Sequence, residues 1–318
     1  MSFEKPENFQ PYTLSPEEAK TMRPLTEEER EELGLGERKK EKKLRPEIAG
    51  SRLPVTFRNP ETGIDQSIEI DLENSLKEQK AFYKKNLNLE INESAVREIW
   101  NKHHAEISRE IETYGYDSIL IIPNNLPEEE ILNRDLVETM DEGAGKGNVA
   151  ATWQSDNFKN DGKSFAGVRN TYSPEYRLIL THSDQNIYEN PAANPYLKVT
   201  LGKNIMDLTG LDEKEVQKRI KNKQEIKVDF EAVIGGQKKQ IQSDGGSLEE
   251  YLLQQAMHFK KTGHHLDEKG WTWLMKSFSG SRVVLSIWAP DDRQLLVGAA
   301  DPGGALALLG LRLSRSFS

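Results

Sequence analysis

The apolar positions of this chain change period several times, and each change predicts an element. LPVTFRNPETGIDQSIEIDL (53–72) alternates on both sides of a Pro-Glu-Thr-Gly turn, which predicts a small hairpin. Over 92–114 the period lengthens. Val96, Trp100, His103, Ile107, Ile111 and Tyr114 recur at three- and four-residue steps, and Gly115 stands in the stop position of a helix. SILIIP (118–123) reads as a buried strand and LPEEEILNRDLVETMDEG (126–143) as a helix. VAATWQS (149–155) and YRLILTH (176–182) follow as short strands. LDEKEVQKRIKNKQ (211–224) is a charged helix, and EIKVDFEAVIGGQKKQIQS (225–243) alternates around Gly235-Gly236, a two-residue hairpin signal. Ser247 with Glu250 forms a capping box for the helix that Gly263 closes. GWTWL, SRVVLSIW, RQLLVGAA and LGLRLSRSF then predict four strands, with turns at 290–292 and 301–304. The alternate spacing of Trp271 and Trp273 puts both rings on one face.

Composition divides the chain further. The first 50 residues carry 22 charged side chains, too few apolar ones to offset their ordering entropy, and are expected to form a disordered or loosely helical leader. Residues 51–115 form a hairpin-plus-helix segment, and 116–318 a mixed α/β domain with 211–244 as an inserted module. The apolar stripe within helices 75–114 could serve as a homo-oligomer seam. A net charge of −9 argues against a general nucleic-acid binder. The absence of cysteine removes disulfides and thiolate chemistry. No secretory signal and no run of about 18 apolar residues is visible, so a cytoplasmic protein without a membrane span is expected, display by another route staying open.

Candidate chemistry is sparse. GAGKGN (143–148) lacks the spacing and the hydroxyl of a phosphate loop. His182-Ser183-Asp184 holds triad residue types, but three neighbours in one loop do not make triad geometry. His258, His264, His265 and Asp267 have no recognised ligand spacing, so neither a metal nor another cofactor is expected.

The last 39 residues, Gly280–Ser318, stand apart. The preceding 279 residues hold 27 Lys and 19 Asn, so this stretch should carry about four and about three, and it carries none. Burial of strands disfavours Lys and Asn. It explains less well why the turns ProAspAsp and AspProGlyGly lack Asn, a favoured turn residue.

Gly-Ser, a tryptophan, short spaced strands and the closing Gly-Leu-Arg-Leu-x-Arg resemble the end of C-type-lectin-fold domains of the formylglycine-generating-enzyme-like branch. More narrowly, WTWL, the compositionally odd run and GLRLSRSFS resemble the variable proteins of diversity-generating retroelements. The resemblance covers 245–318 well and 116–244 loosely. It implies an α+β, C-type-lectin-like fold with short antiparallel strands and packed helices. In that family a reverse transcriptase misincorporates at adenines while copying a template, which would remove the adenine-rich Lys and Asn codons.

The resemblance also implies roles. Trp271, Trp273, Gly310, Arg312 and Arg315 would hold the scaffold, while Trp288 would be either a core anchor or a binding hot spot. Leu285, Ile287, Ala289, Asp291, Asp292, Gln294, Leu296, Gly298, Ala299, Ala300, Ala305, Ala307 and Leu308 would be diversified, surface-facing positions contacting an unknown protein ligand. The function implied is non-enzymatic ligand binding. The alternatives are an enzyme on the same scaffold, whether a hydrolase or formylglycine-generating-like, and a phage-related or structural adhesion subunit.

Overall fold

A computed structural model describes residues 50–123, 126, 166–167, 176–183, 194–291 and 294–318. The charged leader, the GAGKGN loop, the strand expected at 149–155, all but the first residue of the helix expected over 126–143, and Asp184 and Asp292 lie outside the described residues. Everything described belongs to one compact unit, Ile48–Ser318.

The alternating stretch forms hairpin β1 (Arg52–Arg58) and β2 (Asp65–Asp71), in register from Arg52↔Asp71 to Arg58↔Asp65. Asn59 shapes its turn by accepting from the amides of Glu61 at 2.9 Å and Thr62 at 3.2 Å. Helix α1 (Leu72–Leu87) starts on an Asp71 cap, and α2 (Glu93–Tyr114) runs from an Asn92 cap to Gly115 at φ 70°. The stripe on α2 faces inward, against β1, and buries Val96, Trp100, Ile107, Ile111 and Tyr114. These helices therefore offer no apolar seam to a second copy, because the chain's own sheets already cover it. Nor does the 51–115 segment have a separate core, since one continuous apolar cluster joins it to the rest.

Strands β3 (Ser118–Pro123), β5 (Tyr176–Thr181) and β12 (Arg315–Phe317) make an antiparallel sheet in the order β12-β5-β3. Its β3 edge is closed by α1. Gln79 exchanges hydrogen bonds with the Ile119 carbonyl and the Ile121 amide, both 2.8 Å, and Tyr83 Oη donates to the Ile121 carbonyl at 2.6 Å. Buried side chains thus satisfy an edge that would otherwise expose pairing groups.

Short helices α3 (Pro195–Lys198), α4 (Ile205–Thr209) and α5 (Glu213–Lys221) lead into hairpin β6 (Val228–Ile234) and β7 (Gln237–Ser243). Gly235 and Gly236 both have positive φ, 58° and 75°. Gly235 also lies so near the first hairpin that a Cβ there would sit 1.8 Å from the Pro60 carbonyl oxygen. The expected insert is docked on the amino-terminal hairpin.

Helix α6 (Leu248–Thr262), with both bonds of its capping box formed, packs on the carboxy-terminal sheet. That sheet runs β10-β9-β8-β11, from β10 (Gln294–Ala300), β9 (Arg282–Ala289), β8 (Trp271–Ser279) and β11 (Leu309–Gly310), with β4 (Ala166–Gly167) also paired to β8. Helices and mainly antiparallel sheets make the chain α+β. One expectation fails: LGLRLSRSF is not a single strand. Its first two residues pair in parallel with β8, and residues 315–317 pair antiparallel with β5 in the other sheet. The intervening residues pass between the sheets.

Gly235→Ala should lower unfolding stability by about 2 kcal/mol or more, since it combines left-handed strain with a backbone collision. Gly236→Ala, strained but with open space around it, should cost about 1 kcal/mol. Urea unfolding of both variants measures the difference, and equal losses would refute the docking contact.

Candidate functional site

Pairing register sorts the singled-out residues of the terminal sheet by face. Cross-strand partners share a face, and Trp273↔Leu285, Leu285↔Gly298, Ile287↔Leu296 and Val283↔Ala300 all lie on one, with Ala289 beside them on β9. Trp271 is on the same face, where a Cβ at Gly298 would come within 3.8 Å of its ring. The two tryptophans thus share a face, as their spacing predicts. Segment 301–308 returns from β10 at one edge to β11 at the other. The Ile205 amide donates to the Pro302 carbonyl at 3.0 Å, and Trp273 Nε1 donates to the Lys203 carbonyl at 3.2 Å, so the segment runs over this tryptophan face.

Exposure on this face is uneven. Trp271, Ile287, Ala289, Leu296, Gly298 and Ala300 are half-buried, and Asp291, Ala305 and Ala307 are exposed. Leu306 and Leu308 are 54% and 57% exposed. Two expected surface positions depart from this pattern. Leu285 is buried beside Trp273, and Ala299 pairs with buried Val284 on the opposite face. Trp288 is a core anchor: it is 4% exposed and stacks on His265 with ring centroids 3.4 Å apart.

The opposite face packs on α6 around a buried ion pair. Arg312 donates from Nε and Nη2 to Asp267 at 2.8–3.1 Å, and from Nη1 to the His182 carbonyl at 3.2 Å. Thr272 Oγ1 donates to the same carboxylate at 2.9 Å. Asp267 is consumed by these partners and does not join the nearby histidines as a ligand set. Among the described residues no three His, Asp or Glu side chains are placed to hold a metal. His182 donates to or accepts from Asn194 across 3.2 Å, and Ser183 bonds Asp117. His103, on α2, lies 3.0 Å from the Ser318 carbonyl oxygen. Gly310 is buried on β11, and Arg315 lies 3.7 Å from Glu110.

Burial pushes His182 down to about 3, with the Arg312 guanidinium adding to it. Burial likewise brings His258 to about 4 and His265 to about 3, the neighbouring cations and histidines contributing less.

Charged residues that the apolar pattern does not mark lie at the other end of β8. Between Leu274 and Phe278 the β8–β9 register slips, and Lys276 turns inward, 1% exposed. Its ammonium is 3.7 Å from both Glu225 and Glu250, while Arg177 on β5 bonds Glu250 at 2.9 Å. A signal was present in the sequence: a lysine inside WTWLMKSF and an arginine inside YRLILT each interrupt an apolar run, and a charge there demands buried partners.

Comparison with known protein families, characterised proteins and solved structures yields no match to this chain.

The three depressed histidines set an acid limit. Their folded values lie below the ordinary 6.5, so below about pH 6.5 the unfolded chain binds protons that the folded chain refuses. Stability should be fully present above pH 6.5 and fall toward pH 4, at up to about 1.4 kcal/mol per pH unit for each histidine. His265→Phe should flatten that slope by close to one proton, whatever it does to absolute stability. Urea unfolding across this range tests it, and an unchanged slope would show that His265 is not held neutral.

Proposed function

We propose that this chain is a non-enzymatic binding protein that contacts a protein ligand through the tryptophan face of its terminal sheet, and that this lectin-like face is diversified in sequence. One observation carries the reading. Residues spaced by two on β9 and β10 share a face with Trp271 and adjoin a segment that exposes Leu306 and Leu308. Half-buried aromatic and aliphatic side chains around small residues suit the apolar centre of a protein interface. Buried strands account for missing lysines at Leu285, Val297 or Leu311. They do not account for an Ala-Leu-Ala-Leu loop standing in solvent, where lysine or asparagine costs nothing. Replacement of adenine-rich codons supplies a reason for that remainder.

Sequencing this locus in related isolates tests the reading. Substitutions should gather at Ile287, Ala289, Leu296, Gly298, Ala305, Ala307 and Leu308 and spare Trp273, Trp288 and Arg312. A uniform spread along the gene would sink it. The face must also tolerate change. Leu308→Asp should move unfolding stability by no more than about 0.5 kcal/mol, whereas Leu285→Asp should cost about 3 kcal/mol or more.

A further inference from the structure

The bulge of β8 delivers Lys276 to a cavity of about 280 Å³ that this protein-binding face does not use. The lysine is buried, yet its ammonium sits 3.7 Å from Oε1 of Glu225 and from Oε2 of Glu250, beyond hydrogen-bonding range of either. Two neighbours repeat the pattern. Arg177 spends Nη1 on Glu250 but keeps a buried Nε without a partner, and Arg315 stands 3.7–3.9 Å from Glu106, Glu110 and Asp244. Ser316 Oγ, on the same wall, is also buried and unpartnered.

A buried cation whose N–H groups find no acceptor loses the solvation it had in water. Arg177 Nε is in that condition, and it converges with Lys276 and the partly exposed Arg315, both of which stand at ion-pair distance from carboxylates without closing onto them. The ligand chemistry follows from both signs. The free donors require acceptor oxygens, best supplied by a carboxylate. A simple anion would also face Glu225, Asp244 and Glu106, and a simple cation would face Lys276, Arg177, Arg315 and the exposed Lys227, whose ammonium stands 3.4 Å from Asp244 and 3.8 Å from Glu225. A molecule carrying both charges satisfies each wall. The volume is near that of nine or so water molecules at about 30 Å³ each, below the range of drug-sized ligands.

We propose that this cavity binds a small zwitterion of the α-amino-acid type, its carboxylate taken by Lys276, Arg177 and Arg315 and its ammonium by Glu225 and Asp244. The test is calorimetric titration and thermal shift of the full chain with the common amino acids, using succinate and ethylammonium as single-charge controls. At least one amino acid should bind and raise the melting temperature while both controls fail. Lys276→Met and Glu225→Gln should each weaken binding about tenfold or more, the loss of one charge-assisted contact. Circular dichroism establishes whether each variant folds. Glu225, partly exposed at the rim, keeps the test open if the buried lysine cannot be replaced. No binding by any amino acid, equal binding by succinate, or unchanged affinity in a folded Glu225→Gln variant would each overturn the proposal, the last two leaving a plain anion site and a contact without Glu225.

Discussion

The ion pair between Asp267 and Arg312 is the constraint on which the rest of this structure depends. Asp267 is fully buried, with a left-handed φ of 56° that an aspartate tolerates better than most residues. Its carboxylate takes Arg312 from the terminal segment and Thr272 from β8, and its carbonyl accepts the Trp288 amide of β9 at 3.2 Å. Arg312 reaches on to the His182 carbonyl at the end of β5. One pair therefore ties the α6–β8 connection, two strands of the terminal sheet and the end of the central strand of the three-stranded sheet. Such a pair adds little net stability against an apolar replacement, but losing one member leaves a buried charge and costs about 3–5 kcal/mol. Its contribution is to fix how the two sheets meet.

Around that pair the last ten residues act as a stitch. Leu309 and Gly310 extend the terminal sheet, and Leu311 and Leu313 are fully buried. The Ser314 carbonyl accepts from the Asp244 amide at 3.0 Å and from Ser243 Oγ at 2.9 Å. Arg315–Phe317 then join β5, and Ser318 meets Lys102 and His103 of α2. A chain end that crosses three elements cannot carry lysine or asparagine at most positions. The composition break at Gly280 thus has two physical parts. Burial explains most of it. The exposed turns and residues 305–308 are the part that burial leaves over.

Much of the framework was legible because it is set locally. Alternation marked both hairpins, Ser247 and Glu250 marked the start of α6, and Gly115 and Gly263 mark helix ends, each in a left-handed cap. What the sequence concealed depends on distant partners. The stripe on α2 has the same period whether it meets another copy or this chain's own β1, so periodicity could not choose between them. LGLRLSRSF alternates like one strand, and only the pull of Asp267 on Arg312 shows why it leaves the first sheet before entering the second. Leu285 and Ile287 are equivalent by alternation, yet one lies beside Trp273 and the other nearer the rim. The charged cavity was hidden for the same reason, since its residues come from α2, β5, β8, β12, the approach to β6 and the exit from β7.

Strand β8 joins the tryptophan face and the charged cavity, and its bulge explains how one strand borders both. From Thr272 to Leu274 it keeps register with β9, and the alternation puts Trp271 and Trp273 on the face away from α6. Three residues then bulge out before pairing resumes at Phe278, which lifts Lys276 off the pleat. The bulge is held by the loop that feeds α6: the Lys276 amide donates to the Gly246 carbonyl at 3.1 Å, and Ser277 Oγ accepts from the Leu248 amide at 2.8 Å. Gly245, at φ 66°, permits the approach, because a Cβ there would lie 2.6 Å from Cβ of Met275. The same loop places Glu250, whose two oxygens serve the Ser247 cap, Arg177 and the buried lysine. The helix cap and the cavity wall are thus one structure, set apart along β8 from the strand end that carries Trp271 and Trp273.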